Sequence, residues 1–141
     1  MSKTYISVEL RQQIMGEARH QCGYCLTSTQ IIGHPMVIDH LIPEAKGGIT
    51  VRENLWLACR RCNEFKGICT HALDPLSNKQ TPLFNPRQQS WTVHFAWSER
   101  GTHIIGLTAV GRTTVIALQL NNPEIVGARG LWVQAGWHPP K

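Results

Sequence analysis

Two Cys-x2-Cys pairs, Cys22/Cys25 and Cys59/Cys62, stand on either side of residues 26–58. Four thiolates in two such knuckles can close a tetrahedral shell around zinc, an ion that suits sulfur ligands and imposes little geometry of its own. A shell closed by four protein ligands leaves no position for substrate, so a zinc held this way is structural. It ties the segment before Cys22 to the segment after Cys59, and structural zinc in small peptides carries about 10 to 16 kcal/mol of apparent binding free energy. The competing reading is a set of buried free thiols, which the paired spacing disfavours. Cys69 is left over from the pattern and reads as a bystander.

Between the knuckles lie Ile38-Asp39-His40-Leu41-Ile42-Pro43, Gly47-Gly48 and Asn54-Leu55, followed by Cys59-Arg60-Arg61-Cys62-Asn63 and Lys66-Gly67. This order, from Cys22 to Gly67, resembles the HNH endonuclease family of ββα-metal nucleases, and many polar and glycine positions agree at once. The resemblance implies an α+β fold with a ββα-metal HNH core, His40 as general base, and Asp39 and Asn63 as ligands of a catalytic divalent ion, Mg2+ or Mn2+. It also implies that Asn54 holds the hairpin loop and His40 in place, and that the products carry 5′-phosphate and 3′-hydroxyl ends. Asn63 stands where the family name has its final His, a variation in which Asp and Asn share the metal. Asp74-Pro75, Leu83-Phe84-Asn85-Pro86-Arg87 and Trp91 look similar to bacterial HNH proteins with a C-terminal extension.

The chemistry of these residue types supports the same roles. In-line attack on a phosphodiester needs a base beside the water and a cation near the leaving oxygen. Neighbouring strand residues point to opposite sides, so Asp39 and His40 can serve the two needs. An unperturbed imidazole titrates near pH 6.5, suited to a general base at neutral pH. One carboxylate and one amide make a weak site for a hard ion, which keeps several waters and relies on substrate phosphate. Each residue also has a plainer reading: Asp39 as a loop cap, Asn54 as a turn former, Asn63 as a solvated helix side chain.

Arg60, Arg61 and Lys66 follow the first cysteine of the second knuckle, with Lys46 and Arg52 in the loop before it. They are expected to contact phosphates, a grip blind to sequence, although a solvated face gives the same pattern. Four thiolates and one Zn2+ sum to minus two, so the local field depends on these basic residues.

The elements that must position this set can be read from pattern. Ser7 caps a helix over 8–19, residues 36–42 are rich in β-branched side chains and read as a strand, 49–57 reads as a returning strand or extended segment, and 59–67 has helical length ending on Gly67. Residues 70–90, with Pro75, Pro82 and Pro86, read as an irregular connection. Trp91, Val93, Phe95 and Trp97 alternate at period two and read as a half-buried strand, with 102–108 as its hairpin partner. Helices are expected over 111–121 and 123–129. The aromatic residues of that strand are read as core rather than as a stacking platform for bases. The expected organisation is therefore an HNH unit over 1–78 and a small β-hairpin-plus-helix extension over 79–141.

The chain has 141 residues, the size of one ordinary domain, with 42% hydrophobic content. A net charge of +5 and a pI near 9.2 suit an anionic partner. No apolar run approaches the length needed to span a bilayer, and the Met-Ser-Lys start is not followed by a signal-type segment. The expectation is a cytoplasmic monomer or homodimer acting on DNA, with RNA not excluded and with nicking as the default outcome of one site per chain. The alternative is a zinc-stabilised nucleic-acid-binding module without catalysis. A third reading makes residues 80–141 a recruitment surface with the nuclease as effector.

Overall fold

The computed structural model describes residues 5–140. Ser7 accepts a hydrogen bond from the Leu10 amide at 3.1 Å and starts α1 (Val8–Glu17), which buries Ile14. The chain then forms the first knuckle and a short α2 (Thr29–Ile32), closed by Gly33 in the left-handed region. β1 (Val37–His40) and β2 (Leu55–Ala58) pair antiparallel, with Asp39 opposite Trp56 and His40 opposite Leu55. Between them the loop carries 3-10 turns at Glu44–Lys46 and Arg52–Asn54. β2 leads directly into the second knuckle and α3 (Arg60–Lys66), which lies against β1. This is the expected ββα order, with the two helices two residues shorter than the sequence pattern suggests and the strands trimmed further, the returning one to Leu55–Ala58 because the chain before it forms the 3-10 turn.

Two glycines shape the long loop. Gly47 has φ +88°, where an L side chain is strained, and a Cβ on Gly48 would collide with the Ile42 carbonyl. Any larger residue at Gly48 therefore pushes the loop off the end of β1.

The region 70–90 is more regular than expected. β3 (His71–Leu73) pairs with β4 (Gln80–Pro82), and the hairpin loop is closed by Asp74, which accepts from the Leu76 and Ser77 amides and the Ser77 hydroxyl. The prolines fit because Pro75 lies in the loop and Pro82 ends a strand of a two-stranded ribbon, where a missing N–H costs little. Position 78/79 falls inside this hairpin loop.

The expected strand over 91–97 is corrected in its first half: Trp91–His94 forms a helical turn, α4, before β5 (Phe95–Trp97) pairs with β6 (Ile104–Gly106). Trp91 and Phe95 are four apart, a spacing that shares one face in a strand as in a helix, but only the helical turn brings the two side chains into contact, with their rings 5.2 Å apart. Val93, which a half-buried strand would have covered, is 58% exposed. α5 (Ala109–Ala117) is capped by Thr108, and α6 (Pro123–Gln134) is capped by Asn122 and runs further than expected.

One core joins both halves of the chain. Cys22, Tyr24, Cys25, Leu57 and Ala58 are continuous with Phe84, Phe95, Ile104, Leu118 and Leu120. Arg87 reinforces the joint by lying over the Trp56 ring at 4.9 Å while donating to the Leu55 carbonyl and to Glu17.

Candidate active site

The two knuckles bring Cys22, Cys25, Cys59 and Cys62 together, all buried, with their sulfurs within 4.8 Å of one another. The Cys25 and Cys59 sulfurs are 3.8 Å apart. That matches the edge of a tetrahedron with zinc–sulfur bonds of about 2.3 Å, so the donor set fits zinc in both chemistry and size. Amide donors already point at the sulfurs, from Tyr24 to Cys22 and from Cys62 to Cys59, each at 3.4 Å. Burial pushes the Cys22 thiol well up, whereas hydrogen bonding to Cys22 pulls the Cys25 thiol down. A bound dication would favour the charged form of all four.

Asp39 and His40 leave β1 in opposite directions, as strand geometry requires. Asp39 turns inward and is 4% exposed. Its Oδ2 accepts from the Tyr24 hydroxyl at 2.8 Å, and its Oδ1 lies 3.2 Å from Lys66 Nζ. Burial raises the carboxyl above its usual value, with the Lys66 ammonium and the Tyr24 hydroxyl pulling the other way. His40 turns toward the 44–50 loop, where Nε2 shares a hydrogen bond with Thr50 Oγ1 at 2.8 Å and lies 3.9 Å from a Glu44 oxygen. Among the described residues His40 Nδ1 makes no hydrogen bond.

Asn54 ends the second 3-10 turn and clamps the loop through its whole amide. Oδ1 accepts from the Ile42 amide at 2.8 Å, and Nδ2 donates to the carbonyls of Ile42 and Ile49, both at 3.0 Å. Its backbone carbonyl accepts from Leu41, the residue after His40. Asn63 follows Cys62 on the first turns of α3 and is half-buried, and among the described residues its side-chain amide makes no hydrogen bond.

The basic residues do not form one surface. Arg60 and Lys46 are exposed, while Arg52 is paired with Glu17 and Glu53. Arg61 is half-buried with Nη2 3.9 Å from the Cys62 sulfur. Lys66, expected among the phosphate contacts, is 3% exposed, its ammonium on Asp39 and the His40 carbonyl. Its position on the last turn of a helix that lies over β1 turns its side chain inward, which charge and spacing in the sequence do not reveal.

Tyr24 and Thr50 were not among the residues singled out from sequence. Tyr24 had one available signal, its place inside a metal knuckle beside the strand that bears Asp39. Thr50 had none, because its contact with His40 depends on how the loop folds back. A cavity lined by Tyr24, Leu41, Lys66, Phe84, Asn85 and Gln88 opens beside the Asp39–Lys66 pair.

A ββα unit with an Asp-His pair on its first strand and a helix beside a four-cysteine cluster is consistent with the ββα-metal fold. Residues 22–67 match the family described as HNH endonuclease, which shows the resemblance over that segment. The chain is also similar to the CRISPR-associated endonuclease Cas9 of Corynebacterium diphtheriae, with 36% identity over 64 residues, 45% of this chain and 6% of that protein. The chain thus spans a small fraction of the length of that relative. No solved structure matches it. No helix among the described residues is long and apolar enough to cross a membrane.

Proposed function

We propose that the protein is a divalent-metal-dependent endonuclease that hydrolyses phosphodiester bonds in DNA, with the 1–78 unit carrying the chemistry and the 79–141 extension buttressing it. The observation that carries this reading is the Asp39-His40 pair on β1, held from one side by the Asn54 clamp and from the other by the knuckle that bears Tyr24. His40 acts as general base: Thr50 fixes one ring nitrogen and leaves Nδ1 to accept a proton from water. Asn54 acts on the reaction indirectly, by pinning the loop that begins two residues after His40. Asp39 and Asn63 carry hard oxygen donors of the kind a Mg2+-type ion takes; they would hold such an ion, which would supply positive charge at the leaving oxygen. Lys66 provides the counter-charge of Asp39 in the structure as it stands. Arg60 and Lys46, exposed near the pair in sequence, position the backbone of the nucleic acid.

The second reading, a zinc-stabilised binding module without catalysis, draws on the Asp39–Lys66 pair, since the carboxylate is already neutralised without a metal. Conversion of supercoiled plasmid to nicked or linear form separates the two. The assay compares the wild type with a folded His40→Ala variant in Mg2+, in Mn2+ and without added divalent ion, with branched DNA and RNA as further substrates. Metal-dependent cutting lost in His40→Ala is the expected result. Binding by both proteins with no cutting of any substrate moves the module reading ahead.

A further inference from the structure

Arg129 is the largest side chain with no exposed surface, and nothing in the proposed reaction uses it. Its Nη1 donates to the Thr102 carbonyl at 3.0 Å and meets the Asn121 side-chain oxygen at 3.3 Å. Its Nε and Nη2 are buried without a hydrogen-bond partner. Among the described residues it makes no ion pair, although a buried guanidinium is costly unless an anion lies near it.

The cysteine knuckles lie against one face of α6. Ile125, Arg129 and Trp132 fall at i, i+4 and i+7, on one side of the helix. Ile125 and Trp132 share the wall of a cavity with Thr27, Cys59 and Arg61, so this side of α6 lies on the knuckles. Arg61 approaches the same centre from α3, with Nη2 3.9 Å from the Cys62 sulfur and Nε again buried and unpartnered. Four thiolates around one Zn2+ carry a net charge of minus two, and two guanidiniums cancel it.

We propose that Arg129 and Arg61 are the counter-charges of the four-cysteine zinc centre, one from each half of the chain, so that zinc binding and docking of the C-terminal helix are a single equilibrium. This rests on the zinc reading of the four cysteines. Burial lowers the proton affinity of Arg129, the nearby cysteines Cys25, Cys62 and Cys59 oppose that effect, and the like charge of Arg61 adds to it, so both guanidiniums lie within electrostatic range of the cluster. Charged groups around a metal centre tune affinity without touching the ion.

The test measures zinc content by elemental analysis and zinc affinity by competition with a chromophoric chelator, on the full chain. Arg129→Gln is expected to weaken zinc binding by about 10-fold or more, with Arg129→Lys retaining most of the affinity. If Arg129→Gln does not fold even with zinc present, Arg61→Gln carries the test and is expected to weaken binding in the same direction. Equal zinc affinity in the wild type and in a folded glutamine variant overturns the proposal and leaves the zinc site standing. Absence of zinc from the wild type overturns both.

Discussion

The Tyr24 hydroxyl donates to Asp39 Oδ2 at 2.8 Å, which makes the first knuckle a direct support of the carboxylate beside His40. Tyr24 sits between Cys22 and Cys25, and its carbonyl in turn accepts from the Trp91 indole at 2.9 Å. The knuckle, the strand bearing the Asp-His pair and the C-terminal extension therefore meet at one buried tyrosine. A disturbance of the cysteines reaches Asp39 through Tyr24 alone.

Tyr24→Phe removes the hydroxyl and leaves a buried carboxylate with one fewer donor. The expected cost is about 1.5 to 3 kcal/mol, the range for a hydrogen bond to a charged group. Urea unfolding checks this: the midpoint drops while the slope stays constant. An unchanged midpoint would show that Lys66 alone suffices for Asp39.

Asn54→Ala deletes three side-chain hydrogen bonds that tie Ile42 to Ile49. Because Asn54 positions the loop beside His40 and does not itself face substrate in the proposed scheme, kcat is expected to fall by about 100-fold, with DNA affinity nearly unchanged. Steady-state cleavage together with equilibrium binding separates the two effects. Weakened binding with normal turnover at saturation would contradict the positioning role.

Cys59→Ser, or removal of zinc by a chelator, is expected to unfold the segment from Cys22 to Gly67, because both knuckles and the start of α3 hang on the same centre. Thermal unfolding and elemental analysis check it. A protein without zinc whose melting curve matches the wild type would dismiss the structural site.

Acid should expose the Asp74–Arg112 pair. Arg112 donates to both Asp74 oxygens, at 3.0 and 2.9 Å, and with Ser77 it holds the Asp74 carboxyl far below the usual carboxylate range. A folded pKa below the unfolded value of about 3.9 contributes stability that is present above that pH and lost as pH falls through and below it. Asp74→Asn is therefore expected to lower Tm near pH 7 by several degrees and to narrow its deficit against the wild type toward pH 3. A deficit constant from pH 7 to pH 3 would assign the loss to packing instead of charge.

The four-cysteine cluster and the ββα order were legible because they are local or periodic: two Cys-x2-Cys knuckles, a run rich in β-branched residues and a helix closed by glycine leave marks within a few residues. The β3–β4 hairpin was hidden by prolines that turn out to sit at its margins, and the helical turn at Trp91–His94 was hidden because a spacing of four serves strand and helix alike. Contacts made across the chain left no such mark. Lys66 reads as a phosphate contact in sequence and Arg129 only as the end of a short helix, and both are buried in the structure, one against Asp39 and the other on the helix face that covers the knuckles.

By itself the sequence determined which side chains are candidates for chemistry, since thiolate, imidazole and carboxylate properties belong to the residue and their order along the chain is enough to group them. Only the tertiary structure decided which charges meet. Electrostatic partnership depends on distance and burial, and both are set by packing between segments far apart in sequence, as Tyr24 with Asp39 and Arg87 with Glu17 illustrate.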